Sequence, residues 1–241
     1  MKAKDFETLV VVPWMMFLVW TALGCAILPF GLSLGGLGRI YDLAWIALAG
    51  VSAYGLLVLA EGLDRARWIA VLALLGSIVA FTVGAMTGLP FGEFKFTLAL
   101  KAGKYQMALP WLGFLWLALL AGARHLVLLV TAAWSWNRWL HAGLIALVML
   151  LTSVNFQPVA WKVRQYWSWY PTRTELPVPD WPPIQNFASW FALAFLLAAA
   201  FPAPRGGFAH PRAPWMLAAL VVAINLVLLL TNLAGLLGWR Y

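Results

Sequence analysis

Apolar residues run along this chain in long blocks, separated by short clusters of glycine, proline and charge. The blocks cover roughly residues 9–30, 42–60, 68–86, 108–130, 140–157, 186–202 and 214–237. Each is close to the stretch of about 20 apolar residues that a helix needs to cross a bilayer. The pattern predicts an all-α fold, a polytopic transmembrane bundle of about seven spans. Nothing between the blocks is long enough for a soluble domain, so residues 1–241 are expected to form a single integral membrane domain. The first block, from Thr8 to Phe30, is too long for a signal-peptide core, and a retained first helix is expected.

The breaks between blocks differ in kind. Pro29 with Gly31, Gly35, Gly36 and Gly38 predicts a flexible turn. Glu61, Asp64, Arg65 and Arg67 read as a short solvated loop, because membrane-protein loops collect charge. The Trp134 to Trp139 segment reads as an interfacial belt of indole rings.

Two longer breaks stand apart. The first is Thr87-Gly88-Leu89-Pro90-Phe91-Gly92-Glu93-Phe94-Lys95-Phe96-Thr97. Gly88 and Gly92 flank Pro90 and allow turns that a helix refuses, while Phe91, Phe94 and Phe96 offer an aromatic surface. The second, residues 158–185, carries Trp161, Tyr166, Trp167, Trp169, Tyr170 and Trp181, with prolines at 171, 177, 179, 182 and 183 that exclude a regular helix over its later half. Irregular backbone beside a membrane persists only where protein or water covers its polar groups. Two spans separate these stretches, so both are expected on one face, forming one mouth. The basic residues divide almost evenly between the faces and leave the orientation open.

Composition agrees with the pattern. The chain is 64% hydrophobic, where a soluble domain has roughly half. Its 16 Lys and Arg against 8 Asp and Glu give a net +8, but the basic residues are scattered singly, which suits membrane lipid headgroups and argues against nucleic acid. One cysteine, Cys25, lies inside the first block and is expected to be packing. His125 and His141 are too far apart for a helical metal pair, so no metal is expected. Arg124 and His125 either snorkel to the interface or face a partner inside the bundle. Asn225 and Asn232, seven apart, share a face and can join helices by hydrogen bonds.

Taken together, the two long breaks resemble the membrane-embedded carotenoid biosynthesis family that contains the carotenoid 1,2-hydratases. The resemblance rests on Thr87-Gly88-Leu89-Pro90-Phe91-Gly92 with Phe94, Phe96 and Thr97, on Ala108-Leu109-Pro110-Trp111, on Pro158-Val159-Ala160 with Tyr166-Trp167-Ser168-Trp169, and on Pro183-Ile184-Gln185-Asn186-Phe187-Ala188-Ser189-Trp190-Phe191. It covers roughly residues 80–195. The resemblance implies a carotenoid as ligand or substrate, no required cofactor, and a site wall drawn from Gly88, Pro90, Phe91, Gly92, Phe94, Phe96, Trp167, Trp169, Asn186 and Trp190. For Asn186, capping or structural hydrogen bonding is the plainer expectation, with ligand contact as the alternative. Most of the 16 tryptophans are explained by belts and bundle packing, but Trp167, Trp169 and Trp190 fall on matched positions.

Hydration of a terminal carbon-carbon double bond needs a proton donor, stabilisation of a tertiary cation and a positioned water. The family is expected to have an acid before the Thr-Gly turn and two before Pro158. This chain has Phe81, Ser153 and Gln157 there, and Phe94 and Phe96 where tyrosines are typical. Glu93 is the only carboxylate inside the first stretch; beside Lys95 it reads first as a solvated charge and second as a substitute acid. Asp42 and Glu61, at span ends, read as interfacial. The expected function is therefore a non-catalytic pigment-binding or assembly subunit, a pseudoenzyme in a bacterial inner membrane, partnered by membrane lipid, carotenoid and other subunits of a pigment complex. An active hydratase and a transporter of small lipophiles stay open, although no inverted repeat of the transporter type is evident.

Overall fold

The computed structural model describes residues 3–27, 36–97, 110–133, 137–170, 181–204 and 207–236. Residues 134–136 of the expected belt, 28–35 of the expected turn and 171–180 of the second long break lie outside them, whereas Gly36 and Gly38, expected in that turn, lie in the first turn of the second helix. Among the described residues seven α-helices follow one another: α1 (Ala3–Ile27), α2 (Gly36–Glu61), α3 (Leu63–Thr87), α4 (Pro110–Val130), α5 (Arg138–Pro158), α6 (Ile184–Ala200) and α7 (Ala213–Leu236). Six contain segments long and apolar enough to span a membrane, whereas α6, with 17 residues, is shorter. At 1.5 Å per residue, α6 reaches only about 26 Å against a hydrocarbon core of about 30 Å.

The helices have apolar residues on all sides, as a lipid solvent requires. Leu9, Met16, Val19, Leu75, Val79 and Leu226 all face outward. Between helices the surfaces are small: Ala49, Ala53, Ala60, Ala66, Ala73, Ala118 and Ala121 are buried. Lipid tails are as apolar as leucine, so close packing of small residues, and not the hydrophobic effect, holds such helices together. At Gly122 a Cβ would stand 2.9 Å from the Leu217 carbonyl oxygen, which fixes how near α7 lies to α4. Helix α4 packs against α2, α3, α5, α6 and α7 and forms the axis of the bundle.

Long-range bonds sort the connections into two ends. At one end α2 and α3 are separated by Gly62 alone, at φ 84°. The expected charged loop is thus a one-residue break. Ala209 N–H donates to the Ala60 carbonyl at 2.9 Å, and His210 lies 3.3 Å from Glu7, which brings the α6–α7 connection and the start of α1 to the same end. At the other end the all-helical expectation needs one addition. Phe94–Phe96 (β1) and Trp167–Trp169 (β2) form an antiparallel ladder, with Phe94 opposite Trp169 and Phe96 opposite Trp167. A π-helical turn, Val159–Val163, leads from α5 towards β2.

Helices α5 and α7 are joined by side chains. Asn225 donates to the Thr152 hydroxyl (2.9 Å), Asn155 donates to Asn225 Oδ1 (3.2 Å), and Asn232 donates to the Asn155 carbonyl (2.8 Å).

Candidate functional site

The ladder end is built around turns that only particular residues permit. Gly88 caps α3 in the left-handed region, at φ 76°, with its N–H on the Gly84 carbonyl. A cis Leu89–Pro90 bond follows, and then Gly92 at φ 100°. A Cβ on Gly92 would sit 2.5 Å from Pro183 Cγ, so glycine here answers both a backbone angle and a close approach. The Pro90 carbonyl accepts from the Ser189 hydroxyl at 2.7 Å, tying the turn to α6. Beyond the ladder, Thr97 N–H donates to the Tyr166 carbonyl and Tyr170 N–H to the Glu93 carbonyl, each at 2.9 Å.

Strand alternation then divides the side chains. Phe94, Phe96, Trp167 and Trp169 are buried and Lys95 is exposed. Beneath the ladder lies an aromatic cluster whose hub is Phe81 of α3. It stacks on Phe91 with ring centroids 4.3 Å apart and meets Trp116 at 6.0 Å, Trp190 at 6.1 Å, Phe94 at 6.4 Å and Trp167 at 6.5 Å. Trp116 of α4 packs on Trp190 of α6 at 4.7 Å, and Phe156 of α5 touches both Trp167 and Trp190. Thus Phe91, Phe94, Phe96, Trp167, Trp169 and Trp190 come together from four separate elements. Gly88, Pro90 and Gly92 shape the turn that delivers them. Trp116 and Phe156, outside the two aromatic stretches, are further members; Phe156 had a signal in its place next to Gln157, but Trp116 had none.

Several neutral polar groups around the cluster have no partner among the described residues. Asn186 does not cap α6. The N-cap is Pro183, with no side-chain capping bond, and Asn186 lies in the first turn, fully buried. Four residues on, and so on the same face, comes Trp190. Ser153 and Gln157 are likewise four apart on α5, fully buried, with Phe156 between them. Among the described residues, Ser153 Oγ, both polar atoms of Gln157 and of Asn186, and the indole nitrogens of Trp116, Trp167, Trp169 and Trp190 have no hydrogen-bond partner.

Among the described residues no carboxylate lies inside the ring cluster; Glu175 and Asp180 are outside those residues. Glu93 is half-buried directly before β1, and continued alternation puts it on the side of Lys95, away from the buried rings. Asp42 is not simply interfacial: it accepts from the Tyr166 phenol at 2.7 Å and pairs with Arg164 at 3.3 Å. Burial, reinforced by the Asp42 carboxylate, holds the Tyr166 phenol well above its ordinary pKa, so it stays protonated and donating.

Glu61, expected at the interface, is instead buried at the opposite end. Arg124 grips it with two nitrogens (2.9 and 3.3 Å), Arg65 Nε stands 2.5 Å away and His125 Nε2 3.2 Å away. Arg124 also donates to the Phe201 and Pro202 carbonyls, and Arg65 to that of Pro202. Arg124 and His125 therefore face partners inside the bundle. Among the described residues no group of His, Cys, Asp and Glu is arranged to hold a metal ion.

Residues 40–238 match the model of a family described as carotenoid biosynthesis protein. No curated protein and no solved structure matches the chain.

Proposed function

This chain belongs to the carotenoid biosynthesis protein family, and from that premise we propose that it binds a carotenoid or similar long polyene as a non-catalytic pigment-binding or assembly subunit. In this reading it works in a bacterial inner membrane beside other subunits of a pigment complex. One observation carries the reading. Phe81, Ser153 and Gln157, where acids are expected for hydration, are all buried at the ladder end, and Phe81 is the hub of its aromatic cluster.

Proton transfer to an alkene needs an acid within reach of the carbon. Amides, a serine hydroxyl and indoles do not supply one at neutral pH. What the cluster offers is flat, polarisable surface, which suits the side of a conjugated chain. Glu93 is the remaining acid on the first stretch, and its place beside Lys95 supports a surface role.

The test is mass spectrometry of the pigment that co-purifies from a host making an acyclic carotene. Unchanged carotene held at a fixed ratio to protein is the expected result. A pigment heavier by one water, absent from a host without the protein, would establish hydration and end the non-catalytic reading.

A further inference from the structure

We infer that the buried amides of Asn186 and Gln157, with the indole N–H groups around them, form a recognition site for a neutral oxygen atom at the end of the bound polyene. The ligand is then an oxygenated polyene, with a hydroxyl or carbonyl terminus, and not the plain hydrocarbon. This inference rests on the polyene reading above and specifies which polyene.

A buried donor or acceptor without a partner costs about 1–3 kcal/mol. On the elements that build the aromatic cluster, two amides, a hydroxyl and four indoles stand unpaired among the described residues; the other unpaired neutral groups, Trp14, Trp20 and Ser52, lie on α1 and α2 and include no amide. Asn186 shares its helix face with Trp190, and Ser153 and Gln157 flank Phe156, so the polar atoms and the rings belong to one site. A fold under selection for stability alone would hold leucine or phenylalanine at such positions.

The balance of donors identifies the missing group. Each amide brings two N–H bonds and each indole one, and an indole nitrogen accepts nothing. Donors therefore outnumber acceptors, and what completes the set is an acceptor. Because Ser153, Gln157, Asn186 and the indoles are all uncharged, it is a neutral oxygen rather than an anion. The aromatic surroundings require the rest of that molecule to be apolar and unsaturated. The ladder above them has only three residues in each strand, and so small a ladder is marginal on its own, which makes it the part able to open for a chain end. A protein with this preference takes its pigment after the reaction that puts oxygen on the polyene end, by hydration or oxygenation, not before.

The test uses the full chain in lipid nanodiscs, reconstituted separately with lycopene, with rhodopin (its monohydroxylated counterpart) and with spheroidenone, which carries a carbonyl and a methoxy oxygen at one end. Rhodopin and spheroidenone should each be retained about tenfold better than lycopene, the effect of one or two hydrogen bonds in a dry site. N186L and Q157L should reduce that ratio towards unity. Resonance Raman should show the conjugated carbonyl stretch of bound spheroidenone lowered in the wild type and restored in N186L. Equal retention of all three pigments by the wild type overturns the inference, with water as the partner of these amides, and leaves polyene binding standing. Retention of none of the three overturns the polyene reading itself and this inference with it. Since the wild-type comparison decides the matter alone, a variant that fails to fold does not rescue the proposal.

Discussion

Two clusters of polar groups in this bundle are buried in opposite ways. At the α2–α3 break, Glu61, Arg65, Arg124 and His125 are charged or ionisable groups set against one another and against the carbonyls of Phe201 and Pro202. At the ladder end, Ser153, Gln157 and Asn186 are neutral and stand unpaired among rings. A buried charge without a partner is so costly that a membrane protein has to answer it from within. A neutral amide can be left open for about 1–3 kcal/mol. The charged cluster therefore reads as a lock that fastens α2, α3, α4 and the α6–α7 connection, and the neutral cluster as a place kept available.

The most forceful way to break this contrast is at the lock. Arg124→Leu leaves Glu61 buried with fewer partners and takes the side-chain donor from the Phe201 carbonyl. It should cost about 3–5 kcal/mol, read as a large fall in Tm of the detergent-solubilised protein; a Tm within error of wild type would deny the lock. Next, Trp190→Ala removes a ring that touches Phe81, Trp116 and Phe156. Loss of about 3–5 kcal/mol is expected, together with loss of bound pigment by absorbance, whereas Arg124→Leu that still folds should keep its pigment.

Gly92→Ala is the third. The new Cβ meets Pro183 and the backbone sits at φ 100°, so about 1–3 kcal/mol of strain is expected. Faster proteolysis between residues 88 and 97 would report it. Asn186→Leu sharpens the contrast by sign: removing an unpartnered amide should leave the Tm of pigment-free protein unchanged or slightly higher, the reverse of Arg124→Leu. Smallest of all, Glu93→Gln should alter neither Tm nor pigment content. A loss of pigment turnover in that variant would instead mark Glu93 as the acid of an active enzyme.

Much of the ladder end was legible in the chain because its signals are local. Gly88, Pro90 and Gly92 announce a turn by their backbone preferences, and closely spaced aromatics announce a buried surface. Phe94 and Phe96 even carry the strand alternation within three residues. Trp116 was not legible, since it lies inside α4, where one apolar ring looks like any other in a span. Asn186 misled for a related reason. An asparagine at a helix start is a usual cap, but Pro183 takes that place and turns Asn186 one position set inward.

Amino-acid order by itself determined the number and extent of the apolar segments, because crossing a bilayer depends on length and hydropathy over about 20 consecutive residues. It also marked the turn at Gly88, Pro90 and Gly92, although Gly36, Gly38 and the charges at 64–67, read as loop, are helical. Only the tertiary structure decided partners. Glu61 and Arg124 are 63 positions apart and meet because α2 packs on α4, so a charge that looks solvated beside its neighbours becomes the centre of a buried cluster. In the same way, β1 finds β2, and Phe81 finds Trp190, through the packing of helices that no local pattern specifies.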